Sequence, residues 1–173
     1  KNVTVDYKGI NAAIVINAAT TTSFANVTIN AENVGPNANS YLKDAIIDVC
    51  AAGEHTLNLT NTNITVIGPA GKDLNSTFYP IIRTNGGLDN NNTINHKTRI
   101  VTMNLTNSTL DASAAVGRLG IWVTRGTVGN VILDNSHIKS SGCEVKNDSG
   151  TNSEYRERAL PAGTLPYNPS AAL

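Results

Sequence analysis

The side chains that could do chemistry are few and scattered. His55, His96 and His137 lie far apart in the chain, so no two of them form the closely spaced pair a local metal site uses. Asp6 and Asp134 fall at equivalent places of a repeat described below, but Asn30, Thr60 and Thr106 fill the places between them. Acid and base work by two carboxyls needs them within about 5–10 Å, and Asp89, Asp111 and Asp134 have no spacing that brings this about. Arg118 and Arg125 flank Trp122 and could hold an anionic sugar; the same trio is equally an ordinary surface arrangement. There is no nucleophile elbow, phosphate loop, CxxC or HExxH. These residues point to no enzyme and to no cofactor.

Composition narrows the partners. Thirteen Lys and Arg balance 13 Asp and Glu in 173 residues, so the clustered positive charge that nucleic acid requires is missing. The longest apolar run, Ala12–Ile16, is far short of the roughly 20 residues that span a bilayer, and no membrane insertion is expected. Asn (24) and Thr (20) replace the usual charged residues. Nine Asn-x-Ser/Thr sites result, at Asn2, Asn26, Asn58, Asn63, Asn75, Asn91, Asn104, Asn107 and Asn147. Chance would give about four, and the excess has two readings: a glycosylated exported protein, or strands whose outward face is written in Asn and Thr. The chain starts at Lys1, which fits a cell-surface protein that has been exported and trimmed. Cys50 and Cys143 are too far apart for a local metal site; in an oxidising exterior they are expected to pair, within a chain or between chains, the alternative being two buried thiols.

The elements that must position these residues repeat. Five windows superpose: Asn2–Ile10, Asn26–Val34, Thr56–Ile64, Thr102–Leu110 and Asn130–Ile138. Each is apolar at its second, fourth and ninth places, as in Leu57, Leu59 and Ile64. Places two and four make a short strand with one face inward, a polar stretch bends the chain, and place nine opens the next strand. The windows start 24, 30, 46 and 28 residues apart, and 46 is close to two steps of 23. The sixth place of the last three holds Asn61, Asn107 and Asn135, a stacked amide ladder at a bend that asks for left-handed backbone angles. The expected fold is all-β, a parallel β-solenoid in which each turn buries its apolar face on the next. The alternative is an antiparallel β-sandwich of pilin or jelly-roll type.

One stretch breaks the β pattern. In Ser40–Ala52, Leu42, Ala45, Ile46 and Val49 recur at helical spacing between a Ser cap and Gly53, which predicts a short amphipathic helix. The single domain then divides into residues 1–39, early strands that include a possible strand-exchange arm, a main body over 40–143, and an irregular C-terminal arm over 144–173 that holds Pro161, Pro166 and Pro169.

Helix, glycine and strand in sequence, LKDAIIDVCAAGEHTLNLTNTNITVIG, followed later by GIWVTRGTVGNVILDNSHIKSSG over Gly120–Gly142, resemble the right-handed parallel β-helix proteins of the pectate-lyase-like superfamily. In that family a short helix caps the first coil, whereas here two repeat windows precede it. Enzymes of the family cleave acidic polysaccharides with clustered Asp and Ca²⁺, a cluster not written in this chain, so the Ca²⁺ the resemblance allows has no ligand pattern behind it. Residues 1–5 also resemble the donor strand of class 5 fimbrial pilins. Val3, Val5, Ile14 and Ile16 alternate along the first 16 residues and are the candidates for a strand lent to a neighbouring subunit.

Together these readings give an expectation: a non-enzymatic structural subunit of an extracellular filament, sheath or pilus-like assembly, a homopolymer whose partner is itself. The alternative is a β-helical adhesin module that binds surface glycans or host receptors, and a polysaccharide lyase or hydrolase comes third.

Overall fold

The protein is described by a computed structural model, which places residues 1–9, 12–33, 45–50, 53–67, 79–84, 99–114, 118–124, 127–140, 144–147 and 154–159. These residues form 15 β-strands in three sheets of five. The first sheet holds β1 (Val3–Gly9), β4 (Val27–Asn33), β7 (Asn63–Ile67), β10 (Thr109–Ala112) and β13 (His137–Ser140), in that order. The second holds β2 (Ile14–Ile16), β5 (Ile47–Val49), β8 (Tyr79–Thr84), β11 (Arg118–Val123) and β14 (Val145–Asn147). The third holds β3 (Thr21–Ala25), β6 (Glu54–Thr60), β9 (Arg99–Thr106), β12 (Thr127–Asp134) and β15 (Glu154–Ala159). Each of β1 to β12 pairs in parallel with the strand three elements further on, so the chain visits the three sheets in turn, five times over. Parallel pairing throughout the described residues contradicts the antiparallel sandwich.

The alternation of apolar and polar residues makes this arrangement hold. Phe24, Leu59, Leu105 and Leu133 share one register column, and the three leucines are fully buried. Ile29, Ile64, Leu110 and Ile138 make the matching column of the first sheet. Ile47, Ile82, Ile121 and Val145 make that of the second. Each such side chain contributes about 1.5–3 kcal/mol by leaving water, and no circuit could bury its own column alone.

Each link from the third sheet to the first contains one residue of positive φ, and that residue is Asn four times over. Asn26, Asn61, Asn107 and Asn135 have φ of 58°, 48°, 49° and 47°. Asn61 donates from Nδ2 to Oδ1 of Asn26 at 3.1 Å, and Asn135 donates to Asn107 at 2.7 Å. The next residue supplies a buried hydroxyl ladder. Ser108 Oγ accepts from the backbone N–H of Thr62 at 3.0 Å, and Ser136 Oγ accepts from that of Ser108 at 2.9 Å. The expected amide stacking is therefore present as two bonded pairs, Asn26 with Asn61 and Asn107 with Asn135. Replacing Asn107 by Ala puts a Cβ without polar compensation into a left-handed conformation, which costs about 1–2 kcal/mol. Asn107→Gly should lose less, because glycine adopts that conformation without penalty. Urea unfolding of both variants checks this; equal losses would mean that the amide bonds, not the backbone angle, carry the effect.

Four expectations change. The windows Thr56–Ile64, Thr102–Leu110 and Asn130–Ile138 begin in the third sheet, whereas Asn2–Ile10 and Asn26–Val34 begin in the first. Shared alternation aligns strands that occupy different faces. The step of 46 residues is one circuit, not two, since Thr56 pairs directly with Thr102. Residues 68–78 and 85–98 within it lie outside the described residues. The helix at Ser40–Ala52 is also corrected: Ile47–Val49 is β5, held between β2 and β8, while 40–44 and 51–52 lie outside the described residues. Ala45, Ile46, Ile47, Asp48 and Val49 are all buried. A central parallel strand covered on both faces reads as a continuous apolar run, and such a run can mimic helical spacing. The tail is regular in part as well, because β14 and β15 add the fifth member to two sheets.

Candidate functional site at the edge of the first strands

Among the described residues, β1, β2 and β3 each end a sheet, and each is paired there on one side only. β1 is bound to β4 from Val3↔Val27 to Gly9↔Asn33, and β2 to β5 from Ile14↔Ile47 to Ile16↔Val49. The N-terminal segment expected to be lent to a neighbour is thus the first circuit of its own chain. Of its four inter-subunit candidates, Ile16 is core, Ile14 is half-buried, and Val3 and Val5 are 49% and 37% exposed. Val15 is exposed too. At the far edge Ile138, in the column of Val5, and Val145, in the column of Ile14, are only 3% exposed. The first edge alone, among the described residues of these columns, leaves inward-column valines open to water.

Hydrogen-bonding capacity is open there as well. The N–H of Val3 donates to the carbonyl of Asn26 at 3.1 Å. Successive residues of a strand direct their backbone groups to opposite sides, so the N–H groups of Thr4, Asp6 and Lys8 point away from β4. On the outward face Asp6 Oδ1 accepts from Asn30 Nδ2 at 2.8 Å, and Lys8 Nζ pairs with Glu32 at 2.9 Å. Asp6, Tyr7, Lys8, Asn30, Ala31, Glu32 and Ile67 line a depression of about 250 Å³ beside the edge. The column that starts at Asp6 runs through Asn30, Thr65 and Asp111 to Lys139. Burial raises the Asp111 carboxyl, but hydrogen bonds from Ser113 and the charge of Lys139, 3.6 Å away, hold it below the usual range.

The outward column of the second sheet carries residues that the sequence did not bring together. Val15, Asp48, Arg83, Trp122 and Lys146 stand in register. Arg83 donates from Nε and Nη2 to the two carboxylate oxygens of Asp48, each at 3.0 Å, and both side chains are buried. Lys146 Nζ lies 5.9 Å from the centre of the Trp122 ring. Trp122 is therefore flanked in the sheet by Arg83 and Lys146. Of the two arginines read beside it, Arg118 opens β11 four residues away, and Arg125 lies outside the described residues. One signal could have found the pair: a single charge inside each of two apolar runs, IIDV and IIRT, 35 residues apart. His55 is buried in the third sheet in register with Val101 and Gly129, and His137 is half-buried in β13. Among the described residues no three His, Cys, Asp or Glu side chains come together as a metal site would require.

The Asn-x-Ser/Thr sites separate by environment. Asn2 and Asn63 are exposed; Asn26 and Asn107 are exposed in the turn ladder. Asn58 and Asn104 are half-buried on the third sheet, where Asn104 Nδ2 donates to Asn58 Oδ1 at 2.9 Å and Asn58 Nδ2 to Ser23 Oγ at 3.2 Å. Asn147 ends β14, and Asn75 and Asn91 lie outside the described residues.

Cys50 is half-buried, its Sγ 3.7 Å from the carbonyl of Ile16, and Cys143 lies outside the described residues. Sheet order sets the distance between their strands. Cys50 follows β5 and Glu144 leads into β14, with β8 and β11 between them. Three strand spacings come to about 14 Å, whereas a disulfide needs Cα atoms within about 7 Å. A bond within one chain is therefore not expected. Non-reducing peptide mapping of the monomer should recover both cysteines as alkylated thiols; a Cys50–Cys143 peptide would show that the second sheet is not ordered this way.

No family model matches the chain, and no curated protein and no solved structure matches it.

Proposed function

We propose that the chain is a non-enzymatic structural subunit of an extracellular cell-surface assembly, built as a parallel β-solenoid and joined to its partner by β-strand addition at the edge of β1. The observation that carries this reading is that edge, with Val3 and Val5 exposed beside three outward-pointing N–H groups. An unprotected strand edge is a template for another strand, and main-chain hydrogen bonds give such a joint its strength. The role of β1 changes with the fold, from a strand lent to a neighbour to an edge that accepts one. A neutral Asn- and Thr-rich surface suits a protein exposed outside the cell, and side-chain bonds between stacked strands suit a structural role. Sedimentation velocity over a concentration series tests it. The wild-type chain should associate, and Val5→Lys, which sets a charge on the open edge, should stay monomeric with an unchanged far-ultraviolet spectrum. A wild-type chain that remains monomeric at every concentration would overturn the reading.

An adhesin module is the second reading, favoured by Trp122, which is half-buried on an outward sheet face beside Lys146. Its ring joins an apolar face to a polar N–H, a combination suited to contact with a sugar. Glycan binding by the monomer, lost in Trp122→Ala, would favour it.

A further inference from the structure

We infer that the partner at this edge is a second copy of the chain, docked two-fold so that β1 pairs antiparallel with β1 of the other copy, Tyr7 opposite Tyr7. The inference rests on the proposed joining edge and specifies its occupant and register. A joint between identical surfaces must be self-complementary. In antiparallel pairing, residues whose backbone groups face the partner lie opposite one another; in β1 these are Thr4, Asp6 and Lys8. The charges then select the register. Centring on Asp6 sets Asp6 against Asp6, and centring on Lys8 sets Lys8 against Lys8. Centring on Tyr7 sets Asp6 opposite Lys8 twice, and like charges directly opposite are unfavourable where unlike ones stabilise.

The inward face fits the same centring. Val5 comes opposite Gly9, where no side chain stands, and the Tyr7 ring of each chain already lies across its own Gly9, so that a Cβ at position 9 would strike the Tyr7 hydroxyl. Val5 of each copy thereby comes against the Tyr7 ring that lies across Gly9 of the other. The far edge is a poorer partner for β1, because Ile138 and Val145 are already buried there. A two-fold joint is closed and stops at two copies, so the pair is the building unit, and longer assemblies need a further contact.

Charge reversal tests the register on the intact chain. Asp6→Lys alone sets two positive charges opposite each other on both sides of the two-fold axis, and Lys8→Asp alone sets two negative charges there; each should shift the dimer to monomer. Mixing the two variants should restore association as a mixed pair, in which each positive side chain again meets a negative one. The in-chain contacts of Asp6 and Lys8 are exposed and of little weight for folding; circular dichroism confirms that each variant is folded. If the wild type associates but neither variant loses dimer, or if the mixture stays monomeric, the two-fold register is overturned while the joining edge stands. If Asp6→Lys alone dissociates the protein and Lys8→Asp does not, the two-fold joint is again overturned, in favour of head-to-tail stacking of Asp6 on Lys139. A wild type that never associates removes both the inference and the reading beneath it.

Discussion

Leu105→Asp should leave no folded protein. Leu105 is fully buried in β9, between Leu59 and Leu133 of the same inward column. Shortening a leucine in such a place costs about 2–5 kcal/mol in lost contacts and cavity. A carboxylate adds the larger penalty of a buried charge with no partner, since the positions paired with it on both sides are leucines. A single domain has about 5–15 kcal/mol to lose, so one such group suffices. Asn63→Asp, on the exposed face of β7, is the matched control and should change stability by no more than about 0.5 kcal/mol. Circular dichroism and urea unfolding decide it. A Leu105→Asp chain with wild-type β signal and midpoint would mean that position 105 does not face inward and that the register columns are wrong.

The second large effect belongs to the pair that the sequence hid. Arg83→Ala removes both hydrogen bonds from the Asp48 carboxylate while leaving it buried, and breaking a buried pair from one side costs about 3–5 kcal/mol. Replacing both partners by apolar residues, Asp48→Leu with Arg83→Met, should recover most of that loss, because the desolvation of two charges is no longer required. The double-mutant cycle gives the coupling directly. Additive losses would mean that the two side chains do not meet across β5 and β8.

What can be read from the sequence, and what cannot, follows from how many faces of a strand are covered. In the first and third sheets one face is wet, so alternation survives, as in Leu57–Asn58–Leu59 and Ile64–Thr65–Val66, and the inward residues are legible. The turn asparagines are legible because only a few residue types accept φ near 50°. In the second sheet both faces of the middle strands are buried, alternation disappears, and Ile46–Ile47–Asp48–Val49 imitates a helix face. The same covering conceals Asp48 and Arg83. Circuit length misleads for a different reason: 46 residues between Thr56 and Thr102 divide neatly by two, and a single long circuit has no local mark. The open edge lies half in view. Val3 and Val5 stand out in the sequence, but that they sit at the end of a sheet rather than in a detached arm depends on pairing with β4, 24 residues on, which no local pattern states.

The most direct measurement of the central claim is amide hydrogen exchange along β1 at low and high protein concentration. Association through this edge covers the N–H groups of Thr4, Asp6 and Lys8 while those of Val3 and Val5 are already bonded to β4. Exchange at Thr4, Asp6 and Lys8 should therefore slow as concentration rises, with Thr28 and Asn63 in the interior of the same sheet unchanged. Equal exchange of Thr4, Asp6 and Lys8 at both concentrations, under conditions where the protein associates, would place the joint elsewhere and contradict it.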